Sequence, residues 1–139
     1  MALKIELKAN ERVIIGEHAI VNASDRRIKL VVETKAKILR QSEILPEHEA
    51  VTVCDQLQVV LQRMYLASDP APHQADFLRI AQEVIKAAPS LSPQITVISG
   101  HILAGEYYHA LKAVRQLRED EARLLAVLQQ GEPQAGTAG

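Results

Sequence analysis

RRIKLVVETKAKILRQSEIL (26–45) contains the change of pattern that decides the fold. In its first half Ile28, Leu30 and Val32 fall on one side of an extended chain and Arg27 and Lys29 on the other. That period of two marks a strand with one wetted face. A further short strand is predicted around 36–40. From Ser42 the alternation gives way to helical spacing, with 42–46 as the link. Working back toward the amino terminus, Leu3, Ile5 and Leu7 alternate with Lys4, Glu6 and Lys8 over 3–8. Ala9-Asn10-Glu11 supplies a turn, because asparagine tolerates a left-handed backbone. RVII (12–15) and HAIVN (18–22) are joined by Gly16-Glu17, a two-residue hairpin connection that glycine permits. Ala23-Ser24-Asp25 then leads into the strand at 26–33. Five short strands with connections of a few residues predict a compact antiparallel β-meander.

Toward the carboxyl terminus, Pro46 opens a short helical turn. Thr52 caps a helix whose apolar stripe is Val53, Leu57, Val60, Leu61 and Met64. Ser68-Asp69-Pro70-Ala71-Pro72 breaks it. A second helix over 73–88 carries Phe77, Ile80, Ala81, Val84 and Ile85, and Pro89 stops it. Ser92-Pro93 reads as an N-cap followed by the first helical residue. The third helix holds Ile95, Ile98 and Ile102. Near Gly105 the chain turns into a long helix with Tyr107, Leu111, Val114 and Leu117, continuing to Leu124, Leu125 and Leu128. GEPQAGTAG (131–139) has nothing to bury and is expected to be disordered. Strands first and helices after indicate an α+β fold. One domain is expected over 1–130, with a β-rich basic part at 1–41 and a bundle of three to four helices at 42–130.

A chain of 139 residues suits a single domain. Its 47% hydrophobic and 24% charged residues allow a core without disulfides. Cys54, the sole cysteine, has no bridge partner, and no Cys/His spacing resembles a zinc site. No metal or cofactor is expected. The amino terminus lacks the apolar core of a signal peptide, and no apolar run approaches the roughly 18 residues of a membrane span. A cytoplasmic location without membrane contact is the expectation. The five histidines, at 18, 48, 73, 101 and 109, form no HExxH pair, and no glycine-rich loop precedes a helix. Cys54 has no evident partner and reads as packed and inert. No catalytic residue is expected.

Binding has more support. The first 45 residues hold nine basic against six acidic residues, the remainder seven against eleven. Arg12, Arg26, Arg27, Lys29, Lys35, Lys37 and Arg40 concentrate on the predicted sheet as a candidate RNA-binding surface. Guanidinium forks suit phosphates and base edges, and phosphate neutralisation supplies most of such affinity. Ordinary scatter of surface charge is the plain alternative. Phe77, Tyr65, Tyr107 and Tyr108 all fall in the helical half, so contact is expected to lean on cations and RNA shape rather than on base stacking. Leu124, Leu125 and Leu128 are a candidate partner or oligomer surface, against core packing.

LKIELKANERVIIG, NASDRRIKLVVETKAKILRQSEIL, MYL (64–66) and LAGEYYHALKAVRQL, in that order, resemble the FlbT family of flagellum biosynthesis regulators over 1–125. The most specific pieces are Asp25-Arg26-Arg27, Leu39-Arg40, Met64-Tyr65-Leu66 and Tyr107-Tyr108 with Ala110-Leu111 and Arg115. The resemblance implies a non-enzymatic regulator that binds the 5′ untranslated region of flagellin mRNA and lowers its stability and translation, some members activating instead. It assigns no individual RNA-contacting residue. A second reading is a protein-binding module or chaperone that engages flagellin or another flagellar regulatory protein and affects the mRNA indirectly; a homodimer is compatible with either. The chain departs from the family pattern at Ala9-Asn10, where Pro-Gly is usual, and at Gly16-Glu17, where Asn-Gly is usual. Val53, Asp55 and Gln58 replace a proline, a basic residue and an aromatic, and Asp55 reverses a charge on a helix that could hold RNA or a partner.

Overall fold

Strands precede helices in the computed structural model, which describes residues 2–131, and the fold is α+β. The strands are β1 (Leu3–Leu7), β2 (Arg12–Ile15), β3 (His18–Val21), β4 (Ile28–Val32) and β5 (Ile38–Arg40). They do not form the expected meander. Only β2 and β3 pair as sequence neighbours. β1 pairs with β4 and β5 with the free side of β2, giving a two-stranded ribbon and a separate three-stranded sheet, β3-β2-β5, all antiparallel.

The cause is burial. In the ribbon Leu3, Ile5 and Leu7 face Val32, Leu30 and Ile28, so both apolar rows lie on one side. That side packs over Val13, Ile15 and Ile38 of the sheet, forming a small core in which Ile5, Leu7 and Val13 are buried. A flat meander would leave one of these rows in water. Asn22 fixes the arrangement. Its buried amide nitrogen donates to the carbonyls of Leu7, Lys8 and Arg26 at 3.2, 2.9 and 2.8 Å, and its oxygen accepts from the N–H and hydroxyl of Ser24. The ends of β1 and β3 and the entry to β4 thus meet at one side chain. Asn10 takes φ 63°, as the turn before β2 requires.

The opposite face of the sheet, through Ile14 and Leu39, packs on the helices α1 (Val53–Leu66), α2 (Gln74–Ala87), α3 (Ser92–Leu103) and α4 (Tyr107–Gly131). Leu39, Leu57, Leu61, Met64, Ile98, Leu111 and Leu117 are fully buried in this larger core. Thr52 caps α1 as expected: its hydroxyl accepts from Asp55 N–H, and the Asp55 carboxylate accepts from the N–H groups of Val51 and Thr52. Ser92 is not a cap. A 3₁₀ turn at Pro89–Leu91 runs straight into α3, because Leu91 is drawn into the core, and Ser92 becomes the first helical residue.

α4 runs antiparallel to α1 and α3. Asp55 meets Arg118 and Tyr65 meets Tyr108 on one side; Gln94 meets Asp120 and His101 meets His109 on the other. Both neighbours therefore begin level with residues 118–121 of α4. The helix continues past them, and residues 122–130 are exposed throughout. At 1.5 Å per residue the overhang is roughly 15 Å long. Of the predicted tail, Gly131 ends α4 and 132–139 lie outside the described residues.

Candidate nucleic-acid interface

The seven predicted cations do not share one face, because they are divided between the ribbon and the sheet. Arg27 and Lys29 stand with Lys4 on the outer, wet face of the ribbon. Glu6 lies directly opposite Lys29 and pairs with Arg27 at 3.1 Å. Arg26 lies in the turn before β4, highly exposed and 3.8 Å from Asp25. Arg12 shares the side of Ile14, toward the helices, and its backbone N–H donates to the Gln41 side chain at 2.6 Å. Arg40 shares the side of Ile38, toward the ribbon, bonded to the Glu6 carbonyl and 3.7 Å from the Glu11 carboxylate. Lys35 and Lys37 occupy the connection from β4 to β5.

Lys37 is where the structure departs most from expectation. The N–H of Gly16 donates to its carbonyl at 2.8 Å, which extends the β2–β5 ladder to this residue. Alternation then puts its side chain on the helix side with Leu39. Its ammonium sits 5.9 Å from the ring centre of Tyr65 and 6.0 Å from that of Tyr107, within cation–π range. Tyr65 and Tyr108 are in tilted contact at 5.5 Å, and the Lys112 ammonium lies 5.2 Å from the Tyr108 ring. The aromatic residues of the helical half are thus brought against a cation of the β-layer. Lys112 and the three tyrosines were not picked out as site residues from sequence; the signal was Lys37 two places before a core leucine.

Glu43 fastens this seam. Its carboxylate accepts from the Arg40 N–H at 3.0 Å and from the Tyr108 hydroxyl at 2.8 Å, with the Arg115 guanidinium 3.9 Å away; Arg115 also donates to the Glu43 carbonyl at 3.2 Å. The Tyr108 phenol is raised by this hydrogen bond to Glu43 and by burial. Burial also raises Tyr65, partly offset by a bond from the Ile38 backbone. Beside the seam, Gly16, Glu17, His18, Lys35, Lys37 and Ser68 line an open cleft of about 530 Å³.

Asp55, the charge reversal on α1, has a structural occupation. Burial pushes its carboxyl up, but the N–H groups of Val51 and Thr52 and the Arg118 guanidinium, 2.7 Å away, outweigh that and hold it below the usual carboxylate range. Arg118 also bonds Gln58, which continues to Gln62 and the backbone of Leu45. These polar groups of α1 are therefore committed inside the protein. Cys54 is buried, and burial with the nearby Glu121 carboxylate pushes its thiol up to about 12, so it stays protonated and unreactive at neutral pH. Among the described residues no His/Cys/Asp/Glu group could hold a metal ion, and no helix is long and apolar enough to cross a membrane. Leu124, Leu125 and Leu128 lie on the bare overhang of α4, 37%, 43% and 66% exposed, so core packing does not account for them.

The sequence profile of a family described as flagellar protein FlbT matches residues 3–125. The chain belongs to the FlbT family. It is 38% identical over 126 residues to a probable flagellum biosynthesis repressor protein FlbT of Rhodopseudomonas palustris strain TIE-1, covering 91% of this chain and 99% of that protein. It is 34% identical over 135 residues to a probable flagellum biosynthesis repressor protein FlbT 1 of Bradyrhizobium diazoefficiens, covering 97% and 92%. Identity to the flagellum biosynthesis repressor protein FlbT of Caulobacter vibrioides strain ATCC 19089 is 31% over 142 residues and the whole of both chains. No solved structure matches the chain. The FlbT relatives carry the name of a regulator, not of an enzyme, and support a regulatory role here.

Proposed function

We propose that this chain is a post-transcriptional regulator of flagellin synthesis, acting in the cytoplasm without catalysis by binding the 5′ untranslated region of flagellin mRNA. The observation that carries this reading is a difference in charge pairing. Lys4, Lys8, Arg12, Lys29, Lys35 and Lys37 of the β-layer have no carboxylate within ion-pair distance among the described residues. In the helical half Arg63, Arg79, Arg115, Arg118 and Arg123 all have one. Lys86 and Lys112 are the helical cations without one among the described residues, so most of the free positive charge lies on the layer that a polyanion would meet, in a protein of net charge −1. Crosslinking the purified protein to a flagellin leader transcript, with mapping of the attached peptides, tests it. Peptides from 2–41 and the adjoining helix ends are expected; attachment confined to α2 and α3 would overturn the reading.

A second reading follows from the overhang. LLAVL (124–128) is five consecutive apolar residues, all exposed, on a helix segment (122–130) with only Arg123 charged. Such a surface suits a partner helix, from flagellin, another flagellar regulatory protein or a second copy. Calorimetry with flagellin and sedimentation of the protein alone over a range of concentrations separate these occupants.

A further inference from the structure

We propose that the seam between β5, α1 and α4 is a single-strand site, in which unpaired RNA bases stack on Tyr107 and Tyr65 while Lys37 and Lys35 take the adjoining phosphates. The inference rests on the leader-RNA reading above and deepens it by saying where on the chain bases are held. Three features carry it. First, Tyr65 is far in sequence from the adjacent Tyr107 and Tyr108, yet the antiparallel packing of α1 and α4 gathers all three tyrosines of the chain at one place. Second, two ammonium groups already lie 5.2–6.0 Å from their ring centres, so aromatic surface and positive charge adjoin as base and phosphate do in a nucleotide. Third, Tyr108 is held in place by its hydrogen bond to Glu43, and Tyr65 packs against it at 5.5 Å.

The acid at the centre does not oppose a polyanion. Glu43 is already satisfied by Arg40 N–H, the Tyr108 hydroxyl and Arg115. The three rings are only partly buried, and Lys35 and Lys37 are exposed on the open cleft alongside. A duplex cannot use such a site, because its bases are stacked on each other and an A-form major groove admits no side chain. The ribbon face, with cations on a strand and no ring, offers phosphates a resting place but no base platform. The seam therefore distinguishes unpaired from paired leader segments, and the ribbon adds affinity along the backbone.

The chain has no tryptophan and its three tyrosines all lie in this seam, so intrinsic emission of the intact protein reports this site alone. Titration with a single-stranded leader oligonucleotide is expected to quench that emission, and the same sequence in duplex form to leave it unchanged. Tyr107→Leu is expected to weaken single-strand binding by about tenfold while keeping the slope of log affinity against log salt, since stacking releases no counterions; Tyr107→Phe keeps the affinity. Circular dichroism of both variants checks that the helices remain. Binding with unchanged tyrosine emission and an unaffected Tyr107→Leu variant would overturn the seam while leaving the leader-RNA reading intact. Equal quenching by duplex would also overturn it. Failure of the wild-type protein to bind leader RNA at all would defeat both, as would the same quenching by an acidic peptide with no response to RNA.

Discussion

The helical half pairs most of its cations, whereas the β-layer pairs only Arg26, Arg27 and Arg40 and leaves the rest without a carboxylate. Each arginine of the helical half has a carboxylate of its own chain within ion-pair distance, and Arg118 in addition reaches the buried Gln58. The β-layer leaves its lysines to water or, at Lys37, to aromatic rings. The difference follows from position. Arg115 and Arg118, half-buried between elements, must have their donors satisfied and meet Glu43 and Asp55, while Arg79 and Arg123 find acids one turn away on their own helices. A lysine on the outer face of a ribbon has no neighbouring layer to answer it. Charge counts along the chain indicate a surplus of cations near the amino terminus; the structure shows which of them remain free.

The contrast can be sharpened from its strongest side. Leu39→Ala removes a fully buried side chain where the sheet meets the helices and is expected to cost about 2–5 kcal/mol in chemical denaturation. Glu43→Ala strips the seam of an acceptor shared by Arg40 and Tyr108 and should cost about 1–3 kcal/mol by the same measurement. If it costs nothing, the seam is not a clasp and the tyrosines are not held. Acid should act through Asp55. Its lowered carboxyl contributes stability that is present above the ordinary value near 3.8 and lost as pH falls through the lower folded value, so Asp55→Asn flattens the acid limb of a stability–pH curve. The smallest effect on folding is expected on the ribbon. Arg26→Ala with Arg27→Ala, both in exposed pairs, should change stability by less than about 1 kcal/mol. Each phosphate contact so lost flattens the salt dependence of leader-RNA binding by roughly 0.7, and an unchanged slope would remove this face from the interface.

Much of the architecture was legible. Alternation over 3–8 and 26–33 identified strands with the correct inward rows, and the stripes of Leu57, Leu61 and Met64 or Phe77, Ile80 and Val84 identified helices with the correct buried faces. Pairing was not legible, because short connections permit both a meander and the ribbon found here. What decides between them is a tertiary bond, from Asn22 to carbonyls 14 and 15 residues away. The candidate site was half legible. Strand parity predicted the wet placement of Arg27 and Lys29, whereas Arg12 and Arg40 are turned to opposite sides of the inner sheet. That the tyrosines would meet Lys37 needed the antiparallel packing of α1 on α4, which no local pattern encodes.

Asn22 gives the β-layer a chemical lifetime as well as a shape. Hydrolysis of its single side-chain amide would leave an aspartate, which at neutral pH has only oxygens to set against the carbonyls of Leu7, Lys8 and Arg26. Three carbonyls, on the segments that end β1 and enter β4, would lose their common donor in one event. The event would be visible as a gain of one negative charge, and burial of the amide with all its hydrogen bonds made is what holds it off.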